Sequence, residues 1–222
     1  MALQLDYMWA FLATVEGACV TCGYVPSHKR SNGVGRNYVG RIMPSASSYP
    51  EYVSAGDPRD YIAMGASGVT IATGCDLGQT NATELRGYGV PGAILGQLWP
   101  YFGLRRDDAL AKLYALPLVV APETAALLDE CIHAGYLKRY VIPAYDRASS
   151  VPFADLPKQA QAVVFSVCFQ KGCGGVRRDW PKTWGYLTSQ DWTAASRELR
   201  TGFAAEYAGR RRAEGELLRE VC

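Results

Sequence analysis

Apolar side chains at Leu5, Met8, Trp9, Leu12 and Val15 recur at i, i+3, i+4 and i+7, so residues 2–15 are expected to form an amphipathic helix. Gly17 then supplies a stop and leaves Glu16 at the helix C-terminal end. From Tyr24 to Ser67 the helical period disappears. The stretch is rich in Gly, Ser, Pro and Asn, with basic residues at 29, 30, 36 and 41, and it reads as an irregular insertion at about 27–66. Loops of this length inside a domain are usually functional or partly disordered. In GASGVTIATGCDLGQT, Val69 and Ile71 alternate with Thr70 and Ala72, a strand signal, and Gly74 and Gly78 flank Asp76 in tight turns. Helical periodicity dominates from about residue 84. Helices are expected near 91–100, 105–115, 122–138, 156–171, 180–189, 191–206 and 209–220, punctuated by Pro117, Pro122, Pro143, Pro157, Gly172 and Pro181. Asp191 stands as an N-cap before WTAASREL. The pattern predicts an α+β architecture: a helix, a small β-bearing lobe, then a helical bundle lobe.

Composition narrows this picture. A chain of 222 residues fits one domain or two small ones, and 49% hydrophobic content is enough to bury a sizeable core. A net charge of +2 offers no global attraction to nucleic acid or to an anionic membrane. No run of about 18 apolar residues is present, so no membrane span is expected. The N-terminus lacks a basic region and carries Asp6, so it does not read as a secretory signal, and synthesis in the cytoplasm is expected. Seven cysteines, at 19, 22, 75, 131, 168, 173 and 222, cannot all pair within one chain and read as reduced, mostly buried thiols. Cys19 and Cys22 have metal-knuckle spacing and read as closing a helix, but Cys168 and Cys173 are spaced too loosely to complete a zinc site. No cofactor or metal is expected.

Few side chains offer chemistry. Glu16, at the end of an apolar helix, is either a solvated helix-end residue or an acid group set against apolar walls to donate a proton. Asp76 is either an Asx-turn former or one member of a carboxylate pair, and Thr70 by itself is an ordinary strand residue. Two carboxyl groups in unlike environments are what glycoside hydrolysis uses. His28 and His133 have no evident orienting partner, and His133 reads as a helix-face residue. Nucleophile-elbow, phosphate-loop and metalloprotease motifs are missing. KGCGG at 171–175 follows a helix, the wrong side for phosphate capture, and Arg210, Arg211 and Arg212 read as a solvated helix face.

Taken together, VEG at 15–17, GYVP at 23–26 and above all SGVTIATGCDLGQ at 67–79 resemble the lysozyme domain of pesticin and its relatives, a group similar to the phage-type lysozymes. LWPYFGL, LPLVV, AYDRAS and QAVVFSVCFQKG follow in the family's order, and DWTAASREL with RRRAEGELL resembles its closing helices. The resemblance implies a lysozyme-like fold with an active-site cleft between the two lobes. It also implies a muramidase that hydrolyses the β-1,4 bond between N-acetylmuramic acid and N-acetylglucosamine in peptidoglycan. By likeness, Glu16 is the general acid, while Asp76 and Thr70 position water on the opposite face for inversion. Arg211 falls where phage-type enzymes pair an arginine with the acid, and Tyr24 and Gln79 join it as substrate-binding or acid-orienting residues.

Two departures are visible: Ala72 stands where relatives commonly carry glycine, and Cys75 where they carry an aromatic residue. They motivate the alternative of a catalytically weakened peptidoglycan-binding module. The insertion at about 27–66 is a candidate wall of the cleft, contact for peptide stems, or surface for an immunity or inhibitor protein. Action in the bacterial periplasm or cell wall, as an injected antibacterial effector or a phage lysin, follows from the same resemblance.

Overall fold

The first apolar stripe closes into α1 (Leu5–Glu16), with Met8 and Leu12 buried. Gly17 ends it at φ +96°, a left-handed conformation open to glycine. The structure, a computed structural model, describes residues 2–17, 19–41, 53–203 and 208–222. After α1 come β1 (Val20–Lys29), β2 (Gly35–Tyr38), β3 (Val53–Ser54), β4 (Tyr61–Ala63), β5 (Thr70–Ala72) and β6 (Cys75–Asp76). Then follow α2 (Ala82–Gly87), α3 (Gly92–Leu98), α4 (Arg106–Ala115), α5 (Pro122–Tyr136) and α6 (Ile142–Asp146). The chain finishes with α7 (Lys158–Lys171), α8 (Cys173–Asp179), α9 (Pro181–Thr188), α10 (Trp192–Thr201) and α11 (Ala208–Leu218). The class is α+β, as the pattern predicts, and the chain divides into two compact units, residues 16–135 and residues 1–15 with 136–222.

The unit of residues 16–135 is built on a mixed sheet in the order β3-β2-β1-β5-β6, with β4 also on β1. The N-terminal part of β1 pairs with β5, Val20 opposite Ala72 and Tyr24 opposite Thr70, with an irregularity between the two pairs. Its C-terminal part is flanked on both edges, by β2 from Val25–Tyr38 to His28–Gly35 and by β4 from Ser27–Ala63 to Lys29–Tyr61. The insertion at about 27–66 is therefore ordered into sheet over its described part, not irregular. Its strands run two to four residues beyond β1, too short to show a period. What holds them is distant in sequence: the Tyr38 ring packs on Tyr61 at 4.6 Å, and the Tyr38 hydroxyl donates to Gly56 O at 2.8 Å. Residues 42–52, part of the same expectation, lie outside the described residues.

In the other unit α7 is the centre. Every residue from Ala160 to Cys168 is buried, so the helix has no solvent-facing side there. Met8, Leu12, Val141, Tyr145, Phe153, Leu187, Leu199 and Leu218 belong to the same buried cluster, and Trp9 meets Phe165 edge-on at 4.9 Å. Fully burying one such side chain contributes about 1.5–3 kcal/mol.

Some boundaries differ from expectation. Helical turns do not stop at Pro143: a π-turn at Leu137–Val141 leads into α6, which carries Pro143 in its first turn. Proline inside a continuing helix removes one backbone donor, and the π-turn just before it is where the regular ladder is interrupted. The sequence pattern misses α2 and α8 because each is under two full turns; α2 is set by the Asn81 side chain, which accepts from Glu84 N at 2.9 Å. The helix expected at 191–206 ends at Thr201, and residues 204–207 lie outside the described residues. Cys22 lies in β1 rather than at a helix end. All seven cysteines are free thiols, with 22, 168 and 173 buried and 19 and 222 exposed. No helix among the described residues is long and apolar enough to cross a membrane.

Candidate functional site

The strand register aligns three of the sequence candidates. Tyr24 on β1 lies opposite Thr70 on β5, and Thr70 lies opposite Asp76 on β6. Residues directly opposed in antiparallel strands share a face, so the three side chains form one row across the sheet. Thr70 is 5% exposed, whereas Tyr24 and Asp76 are half-buried.

Asp76 is held from three directions. Its Oδ1 accepts from Gly78 N at 2.8 Å and from Gly68 N at 3.1 Å, and its Oδ2 accepts from the Gln79 amide at 2.9 Å. Gly68 and Gly78 are needed for this cradle, because a Cβ on Gly68 would meet the Gly78 backbone at 2.5 Å. Gln79 itself is exposed, so its tie to Asp76 runs along the rim of the site.

The turn between β5 and β6 is clamped by a residue the sequence reading passed over. Asp129 on α5 accepts from Thr73 N at 2.9 Å and from the Thr73 hydroxyl. The two residues are 56 positions apart, and neither carries a local signal of the other. Ala72 enters the turn at φ +55°, in the left-handed region, a conformation that glycine adopts without strain. Burial pushes the Cys75 thiol well above the usual range, helped by Asp129, Asp76 and Glu84, so it stays protonated beside Asp76.

Glu16, the last residue of α1, is half-buried. Its field reaches the row through Tyr24. Burial first, then the charge of Glu16, then that of Asp76 push the Tyr24 phenol up to about 12. Both carboxyl groups therefore act on one half-buried phenol, which remains an O–H donor across the physiological range.

Arg211 belongs to the helical unit, and the solvated-face reading of the arginine run is wrong for two of its three members. Arg210 is 8% exposed and Arg211 is fully buried, while Arg212 is exposed. Both engage Glu214, with Arg210 Nε at 3.2 Å and an Arg211 terminal amino group at 2.9 Å. The Ser166 hydroxyl donates to Glu214 at 2.6 Å, Arg211 donates to the Gln170 carbonyl, and Arg211 stacks over Trp180 at 5.0 Å. Burial pushes the Glu214 carboxyl up, opposed by Arg211, Ser166 and Arg210.

With this geometry in place, comparison with known families is decisive for residues 46–193, which match the family described as "Pesticin: Bacterial toxin homologue of phage lysozyme, C-term". The chain belongs to the pesticin family. Thr70, Asp76 and Gln79 lie inside the matched span of this pesticin-family chain, and Glu16, Tyr24 and Arg211 lie outside it. Comparison with curated proteins gives no match.

Two carboxyl groups, a half-buried phenol and a buried hydroxyl are groups capable of proton transfer and of positioning water. Among the described residues, no group of three or more His, Cys, Asp or Glu side chains is arranged to hold a metal ion. His133, expected on a helix face, is 6% exposed, and burial lowers its imidazole against the raising effect of Asp129.

Proposed function

We propose that the protein is a muramidase that hydrolyses the β-1,4 bond between N-acetylmuramic acid and N-acetylglucosamine, with Glu16 as general acid and Asp76 and Thr70 positioning the attacking water. The observation that carries this reading is the convergence of Glu16 and Asp76 on Tyr24, in the row where Thr70 lies opposite Asp76. Glu16 protonates the glycosidic oxygen as the bond to the anomeric carbon breaks. Asp76, its oxygens fixed by Gly68, Gly78 and Gln79, takes the proton of a water that Thr70 helps to hold. Attack from the opposite face inverts the anomeric centre, which needs carboxyl groups roughly 6.5–9.5 Å apart. Tyr24 and Gln79 are positioning residues. Membership of a family of bacterial toxins related to phage lysozyme supports an antibacterial role at the cell wall.

The test is release of reducing ends from purified peptidoglycan by wild type, Glu16→Gln and Asp76→Asn. Each substitution is expected to lower the rate by about 100-fold or more. Wild-type protein that binds peptidoglycan and releases no ends overturns the reading in favour of a binding module. A second readout is independent of turnover. 13C NMR titration of the Tyr24 ring carbons is expected to show ionisation at lower pH in both variants than in wild type, because each removes one of the charges that disfavour the phenolate.

A further inference from the structure

Two cavities flank the first turns of α4, outside the Tyr24–Thr70–Asp76 row. One, of about 510 Å³, has Arg105, Arg106, Asp107 and Asp108 on its wall with Ala66 and Gly103. The other, of about 420 Å³, has Arg30 and Arg59 beside the apolar Pro58, Leu110 and Ala111, and it shares Asp107 with the first. Neither is accounted for by the chemistry proposed for Glu16, Thr70 and Asp76.

The first cavity is joined to the Asp76 cradle through the backbone. Arg105 Nε donates to Gly78 O at 2.7 Å, and the Gly78 N–H in turn donates to Asp76. Arg106 donates from its backbone N–H to Ser67 O at 2.9 Å and from Nε to Gly65 O at 3.1 Å, next to the Gly68 that also donates to Asp76. Each guanidinium is thus anchored through Nε, and its two terminal amino groups remain as the donors that take a carboxylate. Arg106 holds φ +53°, a left-handed conformation that is strained for a non-glycine residue. Strain of this kind recurs where a side chain must be aimed.

The charges on the wall define the ligand. Two guanidinium groups stand with two carboxyl groups, so a polyanion gains little there, whereas a ligand bearing both carboxylates and an ammonium is matched at both signs. The second cavity adds an apolar floor toward the β-insertion, where Arg30 is fixed by its N–H to Asp60 O at 2.8 Å.

We propose that these cavities form a subsite for the peptide stems of peptidoglycan, with Arg105 and Arg106 on stem carboxylates and Asp107 and Asp108 on the ammonium of a diamino-acid residue. The assignment rests on the muramidase reading for its substrate, and it gives the insertion at about 27–66 a share in substrate recognition through Arg30. Glycan chains that carry stems are then better substrates than the same chains stripped of them.

The experiment compares intact peptidoglycan with glycan stripped of its stems by an amidase, using wild type, Arg106→Asn and Asp108→Asn and leaving Arg105, which holds Gly78, in place; asparagine tolerates the left-handed backbone at position 106. Each variant is expected to raise KM for the intact polymer about tenfold with kcat unchanged, and to match wild type on stripped glycan. Equal losses on both substrates, or no loss on either, overturn the subsite. Isothermal titration with a free stem peptide containing a diamino acid requires no cleavage. Binding to wild type, weakened about tenfold in Arg106→Asn and by amidation of the peptide's carboxylates, supports the subsite. Wild type that binds this peptide yet cleaves no glycan removes the muramidase reading and leaves the subsite standing. Wild type that cleaves glycan but neither binds the peptide nor prefers stem-bearing chains removes the subsite alone.

Discussion

At the scale of single residues, Ala72 shows how a backbone conformation governs the choice of side chain. It is 1% exposed and sits at φ +55°, so it needs the smallest side chain that its neighbours allow. Glycine relieves the strain but gives up the buried methyl and adds chain entropy to the unfolded state, so these effects nearly cancel. Ala72→Gly is expected to change stability by less than about 1 kcal/mol, while Ala72→Val, β-branched and overpacked, is expected to cost about 2 kcal/mol or more. Urea unfolding of both variants checks this, and a Val variant as stable as wild type would contradict the conformation. The placements of Glu16 at a helix end and of Asp76 in a turn-flanked strand were legible at this scale because a helix stop and a pair of glycines mark them locally. Tyr24 as the group both carboxyls act upon was not, since it depends on β1 lying opposite β5.

At the scale of elements, the arginine run of α11 is the instructive case. Three consecutive charges normally mark a solvated helix face, yet Arg210 and Arg211 are buried because Glu214 lies one turn on and Ser166 and Gln170 on α7 supply further acceptors. None of those α7 partners is visible from α11. Removing the shared carboxylate leaves two buried guanidinium groups without their counter-charge. Glu214→Gln is accordingly expected to destabilise the protein by about 3–5 kcal/mol, measured by denaturant unfolding. A loss under about 1 kcal/mol would show that the network contributes little. The strands of the insertion escaped the sequence pattern for a related reason: Tyr38 and Tyr61 support one another across the sheet, and a two-residue strand has no period to display.

For the whole molecule, acid sensitivity follows from His133. Burial lowers its imidazole in the folded state, with Asp129 acting in the opposite direction. The unfolded chain, with histidine near its ordinary value of about 6.5, therefore binds the proton more readily. This contribution to stability is fully present above that value and is lost as pH falls toward and through the lowered folded value. Thermal unfolding between neutral and mildly acidic pH is expected to show the decline, and His133→Asn is expected to flatten it. An unchanged profile in the variant would exclude His133 as the source.

The sequence by itself determined the α+β class, the order of most helices, the helix end that presents Glu16 and the glycine-flanked turn that presents Asp76, because each rests on spacing within a few residues. The likeness to the pesticin lysozyme domain was legible in the same stretch, SGVTIATGCDLGQ, which the matched family span contains. Only the tertiary structure decided the row of Tyr24, Thr70 and Asp76, the Asp129 clamp, the burial of Arg210 and Arg211, and the cavities around α4. Those features depend on strand register and on contacts between residues tens of positions apart. Hydrophobic periodicity specifies which face of an element turns inward, but the partner it meets there is chosen by how the whole chain packs.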